Sequence, residues 1–374
     1  MSFFLIIWRN LWRRRTRSLL TAAGVAVGVA AGVAMAALAW GFQGSVDRTY
    51  TARGTDMVVA RITSHNPMPT VFGQECAPEV AVLPGVRAVA KADWEYLAVD
   101  GGPSTVVYGW EPGSYLWEHL SLKEGAVGTG AEVGSSIYLG ALCAEMLGKK
   151  LGDTVRIEQR ELRVAGIFQS EALLENGAAI LPLGVFQSIL GRDGKVKHLN
   201  LRLQPGLTAE QFEELRQTIQ RRFRGLKAFH SGEVARNSTG VQIAKAMSLA
   251  TSLIALLIGT LGMMNTLLMS VFERISEIGL LMAVGWRRRR VLAMILLESL
   301  VLSLAGAVIG VTVGVVGVRA LQTMEFMRGR FEGEFSLGLI GAAFAIATGL
   351  GILGGLYPAA RAASMQPQAA LHSE

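Results

Sequence analysis

Glu298 is the first residue in this 374-residue chain whose type and setting suggest chemistry. It is the only charge in the apolar run Val291–Val318, about two helical turns from one end. Carboxylates at membrane depth are costly and mark proton relays or ion sites. A relay needs a second intramembrane group to receive the proton, and no other apolar run contains one. A reach to the interface, or a pair with a nearby arginine, are the other readings. Cys76 and Cys143 are the only cysteines. Both fall in a segment expected outside the cytoplasm, where disulfides persist, so a pair is allowed and left open. The five histidines, at 65, 119, 198, 230 and 372, show no metal-ligand spacing. No phosphate-binding G-x-x-x-x-G-K-[ST] loop is present, because Gly148-Lys149-Lys150 lacks the spacing and the hydroxyl. H-E-x-x-H, G-x-S-x-G and C-x-x-C are absent too. A non-catalytic chain without metal or cofactor of its own is expected, powered from elsewhere.

The segment suited to receive that power is Glu273-Arg274-Ile275-Ser276-Glu277-Ile278-Gly279-Leu280-Leu281-Met282-Ala283-Val284-Gly285. Ile275, Ile278, Leu281 and Met282 repeat at helical spacing and predict a short amphipathic helix. Gly285 permits a turn, after which Trp286 and Arg287 to Arg290 lead back toward the membrane. An apolar helix face at the membrane surface needs cover, either lipid or a groove on a cytosolic partner.

The elements that position this segment are apolar. Hydrophobic residues make up 51% of the chain and charged residues 17%, against about a quarter charged in soluble domains. Mean hydropathy is +0.38. Charge-free runs cover Ser18–Val46, Ala246–Phe272 and Phe335–Ala360, and Val291–Val318 makes a fourth. Each exceeds the roughly 20 residues that a spanning helix needs. The net charge of +7 is concentrated beside these runs, with five arginines in 1–17 and five in 273–290. That pattern argues against a nucleic-acid face. Ala37-Leu38-Ala39 resembles a signal-cleavage site, but signal cores span about 7–15 residues, so a retained anchor is expected.

Arginines set the orientation. Arg9, Arg13, Arg14, Arg15 and Arg17 hold the N-terminus in the cytoplasm, and Arg287 to Arg290 hold the second-to-third loop on the same side. The expected organisation is an interfacial leader 1–17 (its Ser2–Trp12 apolar), a first span 18–42 and an extracytoplasmic domain 43–245. A second span 246–272, a coupling helix with basic loop 273–290 and a third span 291–318 follow. A short outside loop 319–334, a fourth span 335–360 and a cytoplasmic tail 361–374 complete it. Glycines recur every fourth residue at Gly24, Gly28 and Gly32, and again at Gly306, Gly310 and Gly314; Gly351 and Gly355 form a shorter case. Such stripes predict close helix packing, within the chain or across a dimer.

The outside domain reads as α+β. Strands are predicted at Met57–Ile62, Glu95–Val99, Thr105–Trp110, Thr154–Ile157, Glu161–Phe168 and His198–Leu203. Helices are predicted at Ile137–Leu147, Leu183–Leu190 and Ala209–Phe223, the last capped by Thr208. Their alternation suggests small βαβ units, with Pro67, Pro69, Pro78, Pro84, Gly85 and Pro103 punctuating the joins.

Glu273-Arg274-x-x-Glu277-Ile278-Gly279-x-Leu281-x-Ala283-x-Gly285 resembles the coupling segment of the MacB-like (FtsX-like, type VII) ABC transporter permeases. Trp8-Arg9-Asn10-Leu11 through Thr16–Thr21 with Gly24 and Gly28 resembles the family's entry helix. Ala141-x-x-Ala144-x-x-Leu147-Gly148 through Leu151–Val155, with Val164–Phe168, resembles its extracytoplasmic domain. Pro358-Ala359-x-Arg361-Ala362-Ala363 with Pro367 and Ala370-Leu371 resembles its C-terminal end. The resemblance runs through nearly the whole chain in order.

It implies an α-helical membrane protein with four transmembrane helices and a large extracytoplasmic α+β domain between helices one and two, in the cytoplasmic (inner) membrane with both termini cytoplasmic. Implied partners are two copies of a cytosolic ABC ATPase that binds ATP and Mg, a second permease copy or paralogue, membrane lipid, and a periplasmic adaptor or acceptor protein. Glu273, Arg274, Glu277, Ile278, Gly279, Leu281, Met282, Ala283 and Gly285 would couple to the ATPase. Some members of the family carry the ATPase at their N-terminus; with 17 residues ahead of the first span here, a separate polypeptide is expected. Hydrolysis would move the outer domain (mechanotransmission) and expel a lipid, lipoprotein, peptide or amphipathic compound. The alternative is a signalling permease that switches a cell-wall hydrolase; an outer domain of roughly 200 residues favours export. A secondary transporter using Glu298 fits poorly with four spans and one carboxylate.

Overall fold

The computed structural model describes residues 15–62, 69–128, 134–170, 172–237, 239–324 and 333–364. The leader arginines Arg9, Arg13 and Arg14, the interfacial Ser2–Trp12, Pro67, and the tail residues Pro367, Ala370 and Leu371 lie outside the described residues. Two compact units form. One comprises residues 1–39, 244–320 and 333–374; the other comprises 40–243 with 321–332.

The first unit is built on the greater part of four long helices, Arg15–Ala52, Thr239–Phe272, Arg288–Thr323 and Leu337–Ala363. Each contains an apolar stretch long enough to cross a membrane. In lipid, helices gain nothing from hiding apolar surface from one another, so association depends on close van der Waals approach. Glycine supplies that approach on both faces of the first helix. A Cβ at Gly28 would come within 3.0 Å of the Ala255 carbonyl oxygen on the second helix, and one at Gly32 would meet Ser252 at 3.4 Å. Gly24 differs from its stripe mates, because a Cβ there would touch nothing within 4 Å. Gly306, Gly310 and Gly314 of the third helix pack instead on Ala22, Ala26 and Ala30 of the first. Both stripes therefore find partners within this chain. The fourth helix lies against the third, where Ser299 Oγ donates to the Gly351 carbonyl at 2.8 Å. The bundle core runs through Val25, Val29 and Val33, Met263 and Leu267, Met294 and Leu302, and Ala343 and Ala347. The second helix leaves the most outside, with Leu253, Leu257, Ile258 and Leu261 all exposed.

The second unit centres on a sheet of β1 (Met57–Arg61), β3 (Val86–Leu97), β4 (Thr105–Trp110), β5 (Ser121–Gly125), β6 (Ser136–Gly140), β7 (Thr154–Ile157), β8 (Arg160–Gln169), β9 (Ala179–Pro182), β11 (His198–Leu203) and β12 (Leu226–His230); β2 (Phe72–Gly73) pairs separately with β10 (Lys195–Val196). The order is β12-β1-β11-β3-β4-β9-β6-β8-β5, with β7 against β8. All pairs are antiparallel except β4 with β9 and β6 with β8. Among the described residues, the expected string of βαβ units is thus reduced to one short crossover, from β6 through helix Ala141–Leu147 and β7 to β8, and a longer connection from β4 to β9.

The predicted helix Ile137–Leu147 is a strand followed by a shorter helix. Its first residues lie between β8 and β9 with both faces covered, and such a continuous apolar run carries no strand alternation. The strand expected at Glu95–Val99 begins earlier, at Val86, and ends at Leu97. The helix expected at Ala209–Phe223 spans Ala209–Arg222, and Thr208 and Gln211 cap it reciprocally.

Cys76 and Cys143 are free thiols in separate cores. Cys76 donates to the Gly73 carbonyl at 3.5 Å. Burial pushes its thiol up, and pushes Cys143 up to about 12. Gel mobility of the full chain should therefore be the same with and without reductant. Maleimide should modify Cys76 slowly, and Cys143 only after unfolding.

Candidate functional site

The second long helix ends at Phe272, and a separate short helix, Ile275–Ala283, follows it. Gly285 ends the turn at φ +101°, a backbone conformation that a side chain resists. The helix predicted from the apolar spacing is present, but its apolar face points inward. Ile278 is 2% exposed and belongs to the bundle core, with Met282 and Trp286 packed against that core. Gly279 is buried as well. The outward face carries Ser276, Glu277, Leu280, Ala283 and Val284, of which Leu280 is 58% and Val284 76% exposed. The physical reason is that the chain's own bundle covers the stripe that a partner or lipid was expected to cover. What remains for a partner is a smaller second face, with Leu280, Ala283 and Val284 at helical spacing beside Glu277.

Two ion pairs hold the entrance to this helix. Arg17 of the first long helix donates from both terminal nitrogens to the Glu273 carboxylate, at 2.9 and 2.6 Å. The next residue, Arg274, lies across the Glu298 carboxylate with two contacts of 3.4 Å. The second pair is buried, with the side chains 9% and 8% exposed. Glu298 is thus the partner of an arginine, the pairing alternative among its readings. Buried charges are tolerated in such paired arrangements. Consecutive residues of the joint therefore tie the short helix to the first and third long helices.

Of the predicted coupling residues, Glu273 and Arg274 form the clamp, and Ile278, Gly279 and Met282 face inward. Glu277 and Ala283 face outward, Leu281 is half-buried, and Gly285 makes the turn. Sequence reading missed Leu280 and Val284 as the exposed pair, although their spacing to Ala283 was a visible signal. It also missed the Arg17 contact, which joins residues 256 apart and has no local signature. Among the described residues, no cluster of three or more His, Cys, Asp or Glu is placed to hold a metal ion.

Among the described residues, four helices of spanning length, an α+β domain inserted after the first, and a clamped helix between the second and third mark a multi-pass membrane protein. Residues 18–218 match the MacB-like periplasmic core domain, and residues 249–367 match the FtsX-like permease C-terminal domain. The chain belongs to this MacB-like, FtsX-like family of ABC transporter permeases. It is 31% identical over 232 residues to a macrolide export ATP-binding/permease protein MacB of Bradyrhizobium diazoefficiens, covering 60% of this chain and 35% of that one. It is 28% identical to a pyoverdine export ATP-binding/permease protein PvdT of Pseudomonas fluorescens, over 98% of this chain and 58% of that one. An ABC transporter permease of Methanocaldococcus jannaschii is 25% identical over 98% of this chain and 96% of its own length. The chain thus spans between a third and three fifths of the two ATP-binding/permease relatives, and nearly all of the archaeal permease.

Proposed function

We propose that this chain is the permease of an ATP-driven exporter in the cytoplasmic membrane, with both termini in the cytoplasm. The short helix Ile275–Ala283 receives the stroke of an ABC ATPase that binds ATP and Mg. Two permeases and two ATPases form the working complex, and the exposed second helix faces lipid or the other permease. Movement of the bundle is transmitted to the inserted domain, which expels an amphipathic compound, lipid, lipoprotein or peptide toward a periplasmic adaptor or acceptor. The observation that carries this reading is the clamped helix with its small outward apolar face. A lever must be rigid toward its own bundle and exposed toward its driver, and this helix is both. Relatives named as exporters of a macrolide and of pyoverdine support export over signalling, and their two cargoes differ too much to assign one here.

Leu280→Asp and Val284→Asp should reduce permease-stimulated ATP turnover at least about tenfold, since a desolvated contact replaced by a charge costs well over 1.4 kcal/mol. Membrane insertion and heat stability should stay unchanged, because neither side chain contributes to the core. Ile278→Asp and Gly279→Arg should instead lower stability. The assay uses the full chain co-purified with its ATPase, and normal turnover in both surface variants would remove this helix from the coupling path. The co-purifying outside protein separates the two functions: an adaptor or lipoprotein fits export, and a wall hydrolase fits signalling.

A further inference from the structure

The inserted domain contains a cavity of about 130 Å³ that the family assignment does not use. Its wall is apolar and aromatic, with Phe42 and Val46 from the first long helix and Trp94, Tyr96 and Val106 from the sheet. Tyr96, 54% exposed, places part of that wall at the surface. An apolar cavity of about 150 Å³ takes a benzene ring, so this one suits a ring or a short length of acyl chain.

Arg53 stands in the same wall, 4% exposed. Its Nε donates to Glu175 Oε1 at 2.7 Å, and the guanidinium lies 4.3 Å from the ring centre of Tyr108 and 4.8 Å from that of Trp110. Glu175 is held on its other oxygen by the Ser170 hydroxyl at 2.6 Å. Arg53 Nη2, however, is buried and has no hydrogen-bond partner among the described residues. An unsatisfied buried donor costs about 1–3 kcal/mol, and more when charged. Native proteins seldom retain one without a use. His198 also lines the cavity and stays uncharged, since burial, Lys197 and Arg53 push its pKa down to about 3.

These groups specify the ligand's charge as well as its shape. Arg53 and Glu175 already balance each other, and Lys197 is engaged by Glu95 and the Trp94 carbonyl, so a second buried anion would compete for cations already paired. A neutral acceptor would satisfy Nη2 without that cost. We propose that this cavity binds the ring or acyl end of an uncharged, carbonyl-bearing amphiphile, such as an ester or ketone, whose carbonyl oxygen accepts from Arg53 Nη2 while its hydrocarbon fills the space bounded by Phe42, Val46, Trp94 and Val106. The site lies wholly within the second unit, residues 40–243, and does not rest on the export reading, because binding requires no ATPase.

The test uses the full chain in lipid nanodiscs and fluorine NMR of para-fluoroacetophenone, with empty discs to subtract lipid partitioning. Saturable binding to the wild type is expected. Ala60→Phe, which places a ring into the wall at a 2%-exposed position, should weaken it at least about tenfold. Val46→Phe should do the same and serves if Ala60→Phe fails to fold. Para-fluorobenzoate and fluorobenzene, one charged and one lacking the acceptor, should each bind the wild type about tenfold more weakly, the scale of one hydrogen bond. Binding no greater than to empty discs, or equal binding by the folded cavity-filling variant, would overturn the site. Tighter binding of the benzoate than of the ketone would overturn the uncharged ligand class.

Discussion

Glu298→Leu should destabilise the membrane unit by about 3–5 kcal/mol, the usual cost of removing one member of a buried ion pair. The cost comes from what is left behind. Arg274 is 7% exposed and its guanidinium makes both of its side-chain hydrogen bonds to Glu298. Without the carboxylate, the cation stays desolvated at the junction of two helices. Arg274→Met should also destabilise the unit, because it takes the arginine away from a carboxylate that is 8% exposed. The double variant Arg274→Met/Glu298→Leu should recover most of the stability, because a buried pair replaced by apolar groups is often neutral or better. Fluorescence-detected size exclusion after heating reads all three. Recovery of stability need not bring recovery of coupling. If the pair transmits force from the short helix to the third long helix, the double variant should be heat-stable yet show permease-stimulated ATP turnover several-fold below wild type. Single variants as stable as the wild type would show that the 3.4 Å contacts contribute nothing.

The contrast between this pair and the neighbouring Arg17–Glu273 pair sharpens the expectation. Arg17 and Glu273 are closer, yet their side chains are 22% and 38% exposed. Exposed ion pairs contribute about 0–1 kcal/mol, so Glu273→Gln should leave heat stability almost unchanged. A turnover defect in that variant would then report on the lever rather than on the fold.

The membrane helices were legible because lipid imposes a constraint that a sequence must show openly: runs of more than about 20 residues free of charge. The glycine stripes were legible as packing faces for a similar reason, but their partners were not. Four-residue spacing says that a backbone approaches, and Gly306 meets Ala22 only because of how the bundle closes. The short helix shows the same divide. Ile275, Ile278, Leu281 and Met282 announce a covered face without saying who covers it, and the cover turned out to be this chain's own core. In the inserted domain, Thr208 signalled a helix start, and its reciprocal hydrogen bonds with Gln211 make it one. Ile137, Tyr138 and Leu139 signalled nothing, since a strand covered on both faces loses its alternation. The Arg53 cavity was least legible of all. Its wall draws on residues from Phe42 to Val234, and its unpartnered nitrogen is a property of the folded arrangement alone.

Gly310→Leu should abolish accumulation of folded protein, and Gly310→Ala should already cost about 1–3 kcal/mol, the range for overpacking. A Cβ at Gly310 would lie 2.6 Å from the Ala26 carbonyl oxygen and 2.8 Å from Val29 Cβ. Neither obstacle is the free end of a flexible side chain, so relief requires the first and third long helices to move apart. Their separation would also loosen Gly306 and Gly314, which would bring a Cβ to 2.8 Å and 3.0 Å of the Ala22 and Ala30 carbonyl oxygens. In lipid no hydrophobic force compensates for a lost close contact, so the whole seam should open together. Gly317 supplies the control: it lies on the same helix, where a Cβ would meet nothing within 4 Å. Gly317→Leu should therefore express and resist heat like the wild type. Equal behaviour of Gly310→Leu and Gly317→Leu in the same heating assay would mean that the first and third helices do not pack through this seam. A wide difference would place the mechanical strength of the bundle in three glycines, with the clamped helix at one end of the structure they hold together.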